Sequence, residues 1–316
     1  MNKIILQNIY GKDVYIELVD DQTKADFITH AGTFHADEVM ATVILLNEFG
    51  SIKLARVNEI VNKDAFLYDI GFGLFDHHGI DFDMTRENGI KYASCGLVWK
   101  EFCNDIVKKL NVSNADEFVN SIDKNLIMDI DRDDNGQSLD IDLTVKIQGI
   151  PSLISSFNPT WDDLKSENEC FLNAVSFANT IFNNIVRKMV AKEKAKRFVE
   201  LGIEKSENGI LILDNYMPWK DIVLVSTNPK ARDILYAIFP SKRGGYNVVA
   251  TPKEIGSFEL KKPFPGAWAG LDEISLQKIS GVDTITFCHK GLFICACKTF
   301  NDAIKIAQIS LDNKNS

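Results

Sequence analysis

KADFITHAGTFHADEVMATVILLNEF, residues 24–49, changes its periodicity halfway along. The apolar stretch ending near Thr29 has the composition of a buried strand, whereas residues 36–49 space their apolar side chains as a helix packed on a sheet does. A strand feeding a helix opens a βαβ unit, and the short apolar segments at 53–57 and 66–70 supply the strands to follow. Upstream, 4–8 and 13–19 read as two more strands, turning as a hairpin around Gly11-Lys12. The expected class is α/β, with an N-terminal parallel or mixed sheet flanked by helices and a smaller C-terminal α/β domain.

Downstream, helices are expected at 94–110, opening with Ser94 as a cap, and at 115–127. The chain is intensely acidic from Asp129 to Asp142, and 149–163, with Gly149, Pro151 and Pro159, reads as loop. Residues 168–201 form a long helical pattern, apolar first and basic later, which should bridge two domains, 1–204 and 205–316. In the second, GILILDN (209–215) and IVLVSTN (222–228) read as strands. A strand pair is expected at 234–239 and 246–251, joined by SKRGG (241–245), and a hairpin at 283–289 and 292–298. Short helices fit 272–280 and 300–311.

The 316 residues, 45% hydrophobic, are ample for a buried core in about two domains. With 35 basic and 44 acidic residues the net charge is -9, which argues against broad attraction to a polyanion but not against a local basic strip. Six cysteines without a C-x-x-C pair read as buried free thiols in a reducing compartment. No segment approaches the apolar length of a bilayer span or a secretory core, so the expectation is a soluble intracellular protein, cytoplasmic by default.

Four of the five histidines, His30, His35, His77 and His78, lie in the first quarter, each beside a carboxylate and near the end of an apolar strand. In open α/β sheets that edge is where sites form. In THAGTFHADE, His30, His35 and Asp37 can converge on one cation; Glu38 is the weaker candidate because the next helical position points elsewhere. In FLYDIGFGLFDHHG, Asp69 ends an apolar run, and Asp76, His77 and His78 follow seven residues later. In LIMDIDRDDNG, Asp129, Asp131, Asp133 and Asp134 crowd together and call for a cation or for water, with Arg132 supplying part of the charge. An EF-hand loop would begin similarly, but its twelfth position here is Asp140 rather than Glu. Three clusters without cysteine suit a two-metal centre better than one structural zinc, with manganese, zinc, iron or magnesium compatible.

THAGTFHADEVMA, YDIGFGLFDHHG, YASCGLVWKEF, NLIMDIDRDDNG, FPGAWAGL and ITFCHKGLF together resemble the MYG1 family, which is related to the DHH phosphoesterases. The resemblance implies a DHH-phosphoesterase-like fold, with two divalent ions, Mn²⁺ first among them, in the N-terminal domain. His30, His35 and Asp69 would hold one ion; Asp37, Asp69, His77 and Asp129 or Asp131 the other, with Asp69 bridging. The superfamily opening H-x-x-x-D-x-D is replaced by H-x-x-x-x-H-x-D, so His35 stands in for a carboxylate. Asp76, His77 and His78 would form the catalytic set, His78 stabilising the phosphoryl group. The eukaryotic members resemble 3′-5′ RNA exonucleases of nucleus and mitochondrion.

In the second domain, Lys242, Arg243 and the Gly244-Gly245 turn could contact phosphate, and so could Arg232. His289 ends a strand, and in the resemblance it matches a family histidine that would reach into the cleft and contact substrate. Trp219 and Trp268 could stack a base, although FPGAWAGL reads more simply as core. The expected function is a phosphoesterase acting on short RNA or a nucleotide. A small-molecule phosphohydrolase or pyrophosphatase and a non-enzymatic metal-stabilised binding protein are the alternatives. A homodimer is compatible with the sequence.

Overall fold

A computed structural model describes residues 2–137, 144 and 147–313; Asp140 and Asp142 of the acidic stretch lie outside them. Contacts divide the chain into two compact units after Val190. The sequence reading placed the boundary after residue 204, further along the same helix.

The first unit is built on β1 (Lys3–Gln7), β2 (Asp13–Leu18), β3 (Phe27–His30), α1 (Ala36–Phe49), β4 (Ile52–Val57) and β5 (Phe66–Leu67). The sheet order is β1-β2-β4-β3-β5. β1 and β2 are antiparallel, and the remaining pairs are parallel, so the sheet is mixed. α1 has buried residues on every side from Ala36 to Asn47. A helix apolar all round belongs in an interior. It lies in one hydrophobic cluster with residues of β2, of α2 (Ser94–Lys108) and of the first half of the long helix α6 (Glu167–Lys205). Each fully buried Leu, Ile or Phe there contributes roughly 1.5–3 kcal/mol, which makes α1 a fixed wall for the strand ends beside it.

α3 (Ala115–Ile122) continues through a π turn, Asp123–Ile127, into α4 (Met128–Asp134). The first part of the acidic run, Asp129 to Asp134, is therefore helical, which no EF-hand loop is. Two sequence expectations change here. Residues 150–155 form a short helix, α5 (Ile150–Ser155), because Pro151 sits in its first turn, where its missing N–H costs nothing. Ser94 is not the cap of α2: Ala93 holds that position, and the Ser94 hydroxyl is spent on the site instead.

The second unit contains β6 (Ile210–Ile212), α7 (Lys220–Val225), β7 (Tyr236–Pro240), β8 (Tyr246–Ala250), α8 (Glu273–Ser280), β9 (Ile285–Cys288), β10 (Ile294–Cys297) and α9 (Phe300–Asp312). Its mixed sheet runs β6-β7-β8-β10-β9, with only β6 and β7 parallel. IVLVSTN begins as helix α7 rather than as a strand. Trp219, Ile222 and Val223 share one cluster with Ala195, Val199 and Ile203 of α6, and that helical spacing of contacts overrides the β propensity of the valines. Trp219 and Trp268 are both buried in cores, so neither offers a face to a base. The six cysteines are buried and unbridged. No helix among the described residues is long and apolar enough to cross a membrane.

Candidate functional site

β3 and β5 run parallel and side by side, with Ile28 opposite Leu67. Two residues beyond that pair, His30 and Asp69 therefore emerge at the same sheet edge, with His30 Nε2 3.2 Å from Asp69 Oδ2. Asp69 has φ of 56°, a left-handed backbone that a non-glycine residue adopts at a cost. The turn holds it there: the Asp69 N–H donates to Phe75 O, and Gly71 is also left-handed. The loop from His30 to His35 is clamped from outside. Arg56 donates to Gly32 O (2.7 Å), and the Asn158 amide both accepts from Phe34 N–H (3.0 Å) and donates to Phe34 O (2.7 Å).

His35 is the N-cap of α1, and its N–H donates to Glu38 (2.9 Å). Glu38 thus turns back toward the loop, and its Oε1 lies 3.1 Å from His30 Nε2. The reading that Glu38 points elsewhere is corrected; its position three residues after the cap is the capping-box spacing that could have located it. Burial alone would lower the His30 pKa, but hydrogen bonds to Asp69 and Glu38 outweigh it and raise the imidazole to about 10.

The N-terminus of α2 supplies the other wall. Its first N–H groups have no partner within the helix, and distant carboxylates take them. Ser94 and Cys95 N–H donate to Asp37 at 3.0 and 2.6 Å, and Gly96 N–H donates to Asp131 at 2.9 Å. The Ser94 hydroxyl donates to Asp69 Oδ1 at 3.0 Å. Even so, burial pushes Asp37 well above the usual carboxylate range, and the charges of Asp69, Asp134 and Asp131 push it further.

His77 lies with Nε2 2.8 Å from Asp134 and Nδ1 3.6 Å from Asp69 Oδ1. Asp134 did not enter the expected ligand set; it stands one helical turn after Asp131, a signal visible only once 128–134 is known to be helix. Asp76 accepts from His78 Nδ1 at 2.7 Å and from the N–H groups of Phe72 and His78. Burial would raise its pKa, and these hydrogen bonds more than offset that, so it is held below the usual range.

Among the described residues four groups of potential donors result, each with its atoms within 4.8 Å of one another: His30, His35 and Glu38; and, linked through Asp37 and His77, the three groups Asp37, His77 and Asp134; Asp69, Asp76, His77 and His78; and Asp37, Cys95 and Asp131. Donors at such spacing can converge on a cation at about 2.0–2.3 Å. The fit is supported by Glu38, fully buried, whose Oε1 faces His30 Nε2 at 3.1 Å while that same nitrogen also faces Asp69 at 3.2 Å, one N–H between two buried carboxylates. Buried carboxylates lacking counter-charge are costly, and a divalent cation supplies it. These clusters could hold metal ions.

Two expected ligands fare differently. Asp131 is buried beside the site, but its Oδ2 already faces Arg86 at 2.7 Å, and burial raises its pKa to about 7 against the pull of Arg86. Asp129 is outside all four groups and pairs with Arg132 at 2.9 Å. In the second unit, Lys242, Arg243, Gly244 and Gly245 line one groove, Arg232 lines a different cavity, and His289 follows β9. Gly244 uses its N–H on Ser241 O, so it is not free for phosphate.

Gly96 gives a test of this packing. A Cβ there would lie 1.9 Å from Asp131 Oδ2 and 2.9 Å from Arg86 NH2. In an ordinary helix Gly→Ala stabilises by about 1 kcal/mol. Here Gly96→Ala should instead destabilise by roughly 1–3 kcal/mol, measured by urea denaturation. A stabilised variant would show that Asp131 moves aside freely.

Residues 26–311 match the family model MYG1_exonuc, described as "Uncharacterised protein family (UPF0160)". A MYG1 protein of Saccharomyces cerevisiae is 28% identical over 319 residues, covering 90% of this chain and 94% of its own. A MYG1 protein of Dictyostelium discoideum is 28% identical, covering 88% and 94%. A protein of Homo sapiens named MYG1 exonuclease is 26% identical over 325 residues, covering 91% and 86%. No solved structure gives a significant match.

Proposed function

Given that this chain belongs to the MYG1 family, we propose that it is a metal-dependent phosphodiesterase that shortens RNA from its 3′ end. Relatives named exonucleases support the hydrolase class. The observation that carries the finer reading is the division of Asp69. Its Oδ2 faces His30 and its Oδ1 faces His77, at 3.2 and 3.6 Å, so one buried carboxylate stands between a histidine of one donor group and a histidine of another. A bridge between two cations about 3.5–4 Å apart needs such a residue. His30, His35 and Glu38 would complete one position, and Asp37, His77 and Asp134 the other.

Bound there, divalent cations, Mn²⁺ foremost with Zn²⁺, Mg²⁺ or Fe²⁺ as alternatives, supply Lewis acidity toward a phosphoryl oxygen. The chain's own groups orient and move protons. Asp76 is ionised and can only accept, so His78 carries its hydrogen on Nδ1. That leaves Nε2 of a half-exposed side chain to take a proton from the attacking water and, once it holds that proton, to pass it to the departing oxygen. Ser94, by donating to Asp69 Oδ1, fixes the rotation of the shared carboxylate.

The experiment is an assay of 5′-labelled short RNA, a cyclic dinucleotide and pyrophosphate, each with Mn²⁺, Mg²⁺ or EDTA. RNA ladders shortened at the 3′ end are expected with Mn²⁺ and none in EDTA. Saturating cation at about 100 times its Kd should add about 2.7 kcal/mol, or a rise in Tm of roughly 5–10 °C for a unit of this size. Undiminished cleavage by chain shown to be metal-free would overturn the reading. Cleavage of pyrophosphate alone would select the small-molecule alternative.

A further inference from the structure

We propose that the uncovered half of the second unit's sheet is a base-stacking surface for single-stranded RNA. The choice of RNA rests on the nuclease reading above; the binding surface itself does not.

One face of this sheet is closed by α8 and α9, whose Leu276, Ala303 and Ile306 pack with Val248, Cys288 and Cys295. On the opposite face, the end of α6 and α7 cover Leu211 of β6, Ala237 and Phe239 of β7 and Val249 of β8. Among the described residues this helical layer reaches no further into the sheet than Val249 and, at its margin, Ile294. The rest of the face, from β9, β10 and their connection, opens into a groove of about 1230 Å³. That volume exceeds the usual range for a drug-sized ligand and suits several residues of an extended polymer.

An open antiparallel face normally carries polar side chains. Here Phe287 and Phe293 are 45% and 37% exposed, with the His289 ring 4.4 Å from that of Phe293. Flat rings left in water on a rigid sheet are what unpaired bases stack on, and a duplex hides its base faces from them.

The charge of the groove runs against that of the chain. Lys220, Lys242 and Arg243 line it, with Lys298, which pairs with Glu273 at 3.4 Å, and its one carboxylate among the described lining residues, Asp221, is paired with Lys192 at 2.6 Å. The whole chain has 44 acidic to 35 basic residues. Two of these cations are presented by a fixed turn. Gly244 and Gly245 are left-handed, and a Cβ on Gly245 would meet Cys297 O at 2.1 Å, so SKRGG lies directly against β10. Cations beside exposed rings match a phosphate-linked chain of bases.

The test uses the full chain in EDTA and a 5′-fluorescein 12-nucleotide RNA, read by anisotropy. Phe287→Ala with Phe293→Ala should weaken binding at least tenfold, and the Tyr pair should restore it to within about twofold, since stacking survives in tyrosine. Lys242→Gln with Arg243→Gln should weaken binding at low salt and flatten its salt dependence. Parent-like affinity in the Ala pair, failure of the Tyr pair to restore it, or no binding by the parent overturns the proposal. So does an Ala pair that turns a dimer into a monomer by light scattering with RNA affinity unchanged. Hydrolysis of bis(p-nitrophenyl) phosphate by the unaltered chain is assayed separately. If it is absent while the titrations come out as expected, the catalytic reading fails and this surface stands.

Discussion

Asp69→Asn is expected to lower kcat by about a hundredfold to a thousandfold, the range seen when one preorganised electrostatic group is lost from a site. The substitution keeps the shape of the side chain. Asparagine also tolerates the left-handed φ of 56° better than most residues, so the turn should persist. What changes is charge: the carboxylate between His30 and His77 becomes a neutral amide, and the anion facing both imidazoles is lost. The stability outcome separates this from unfolding. Asp69 is among the charges that push Asp37 above its usual range, so its removal relieves repulsion in the metal-free chain. In the metal-free chain that relief is set against the lost support of the charged His30 ring, so Asp69→Asn should melt near the parent temperature while binding cations more weakly by calorimetry. A parent-like turnover rate would remove Asp69 from the bridging role.

Arg86→Met should cost roughly 3–5 kcal/mol, the range for breaking a buried ion pair from one side. Arg86 donates to Asp123 through Nε and NH2 at 2.9 and 2.7 Å, meets Asp131 at 2.7 Å and lies over the Tyr92 ring at 3.9 Å. Removal strands Asp131 in the interior. The pH dependence follows from its raised pKa. Burial lifts Asp131 from 3.8 to about 7 despite Arg86. Between those values the folded chain holds more protons than the unfolded one, so stability from this group falls as pH rises. Without Arg86 the folded carboxyl rises further and the window widens upward. Urea denaturation should then find Arg86→Met nearer to the parent at pH 5 than at pH 8, and Asp131→Asn added to it should recover part of the loss. An equal loss at both pH values would mean that Asp131 is not the group left unpaired.

His30, Asp69 and Asp76-His77-His78 were legible because each follows directly on an apolar strand or its turn, where local pattern and strand-end chemistry agree. α1 was legible to the residue for the same reason: its periodicity is continuous and its cap is local. Glu38 was misjudged because a helical wheel describes where a residue leaves the axis, whereas a carboxylate at the third position can bend back to the cap. Asp134 and Asp131 were blurred together by an acidic run whose helical state comes from packing rather than propensity. The same is true of α7, strand-like in composition and helical against α6.

Composition and periodicity alone determined the α/β class, the loop-and-helix setting of the first histidine cluster, and the supply of imidazoles and carboxylates, because these depend on residues close in sequence. Only the tertiary structure decided which carboxylates meet which imidazoles. Parallel pairing of β3 with β5 sets Asp69 beside His30, and the N-terminus of α2 captures Asp37 and Asp131 with its unpartnered N–H groups. Arg86 holds Asp131 in an ion pair, and Asp129 faces Arg132 outside every donor group. Those choices turn on distances between segments tens of residues apart, which strand register and helix packing set and which no local pattern records.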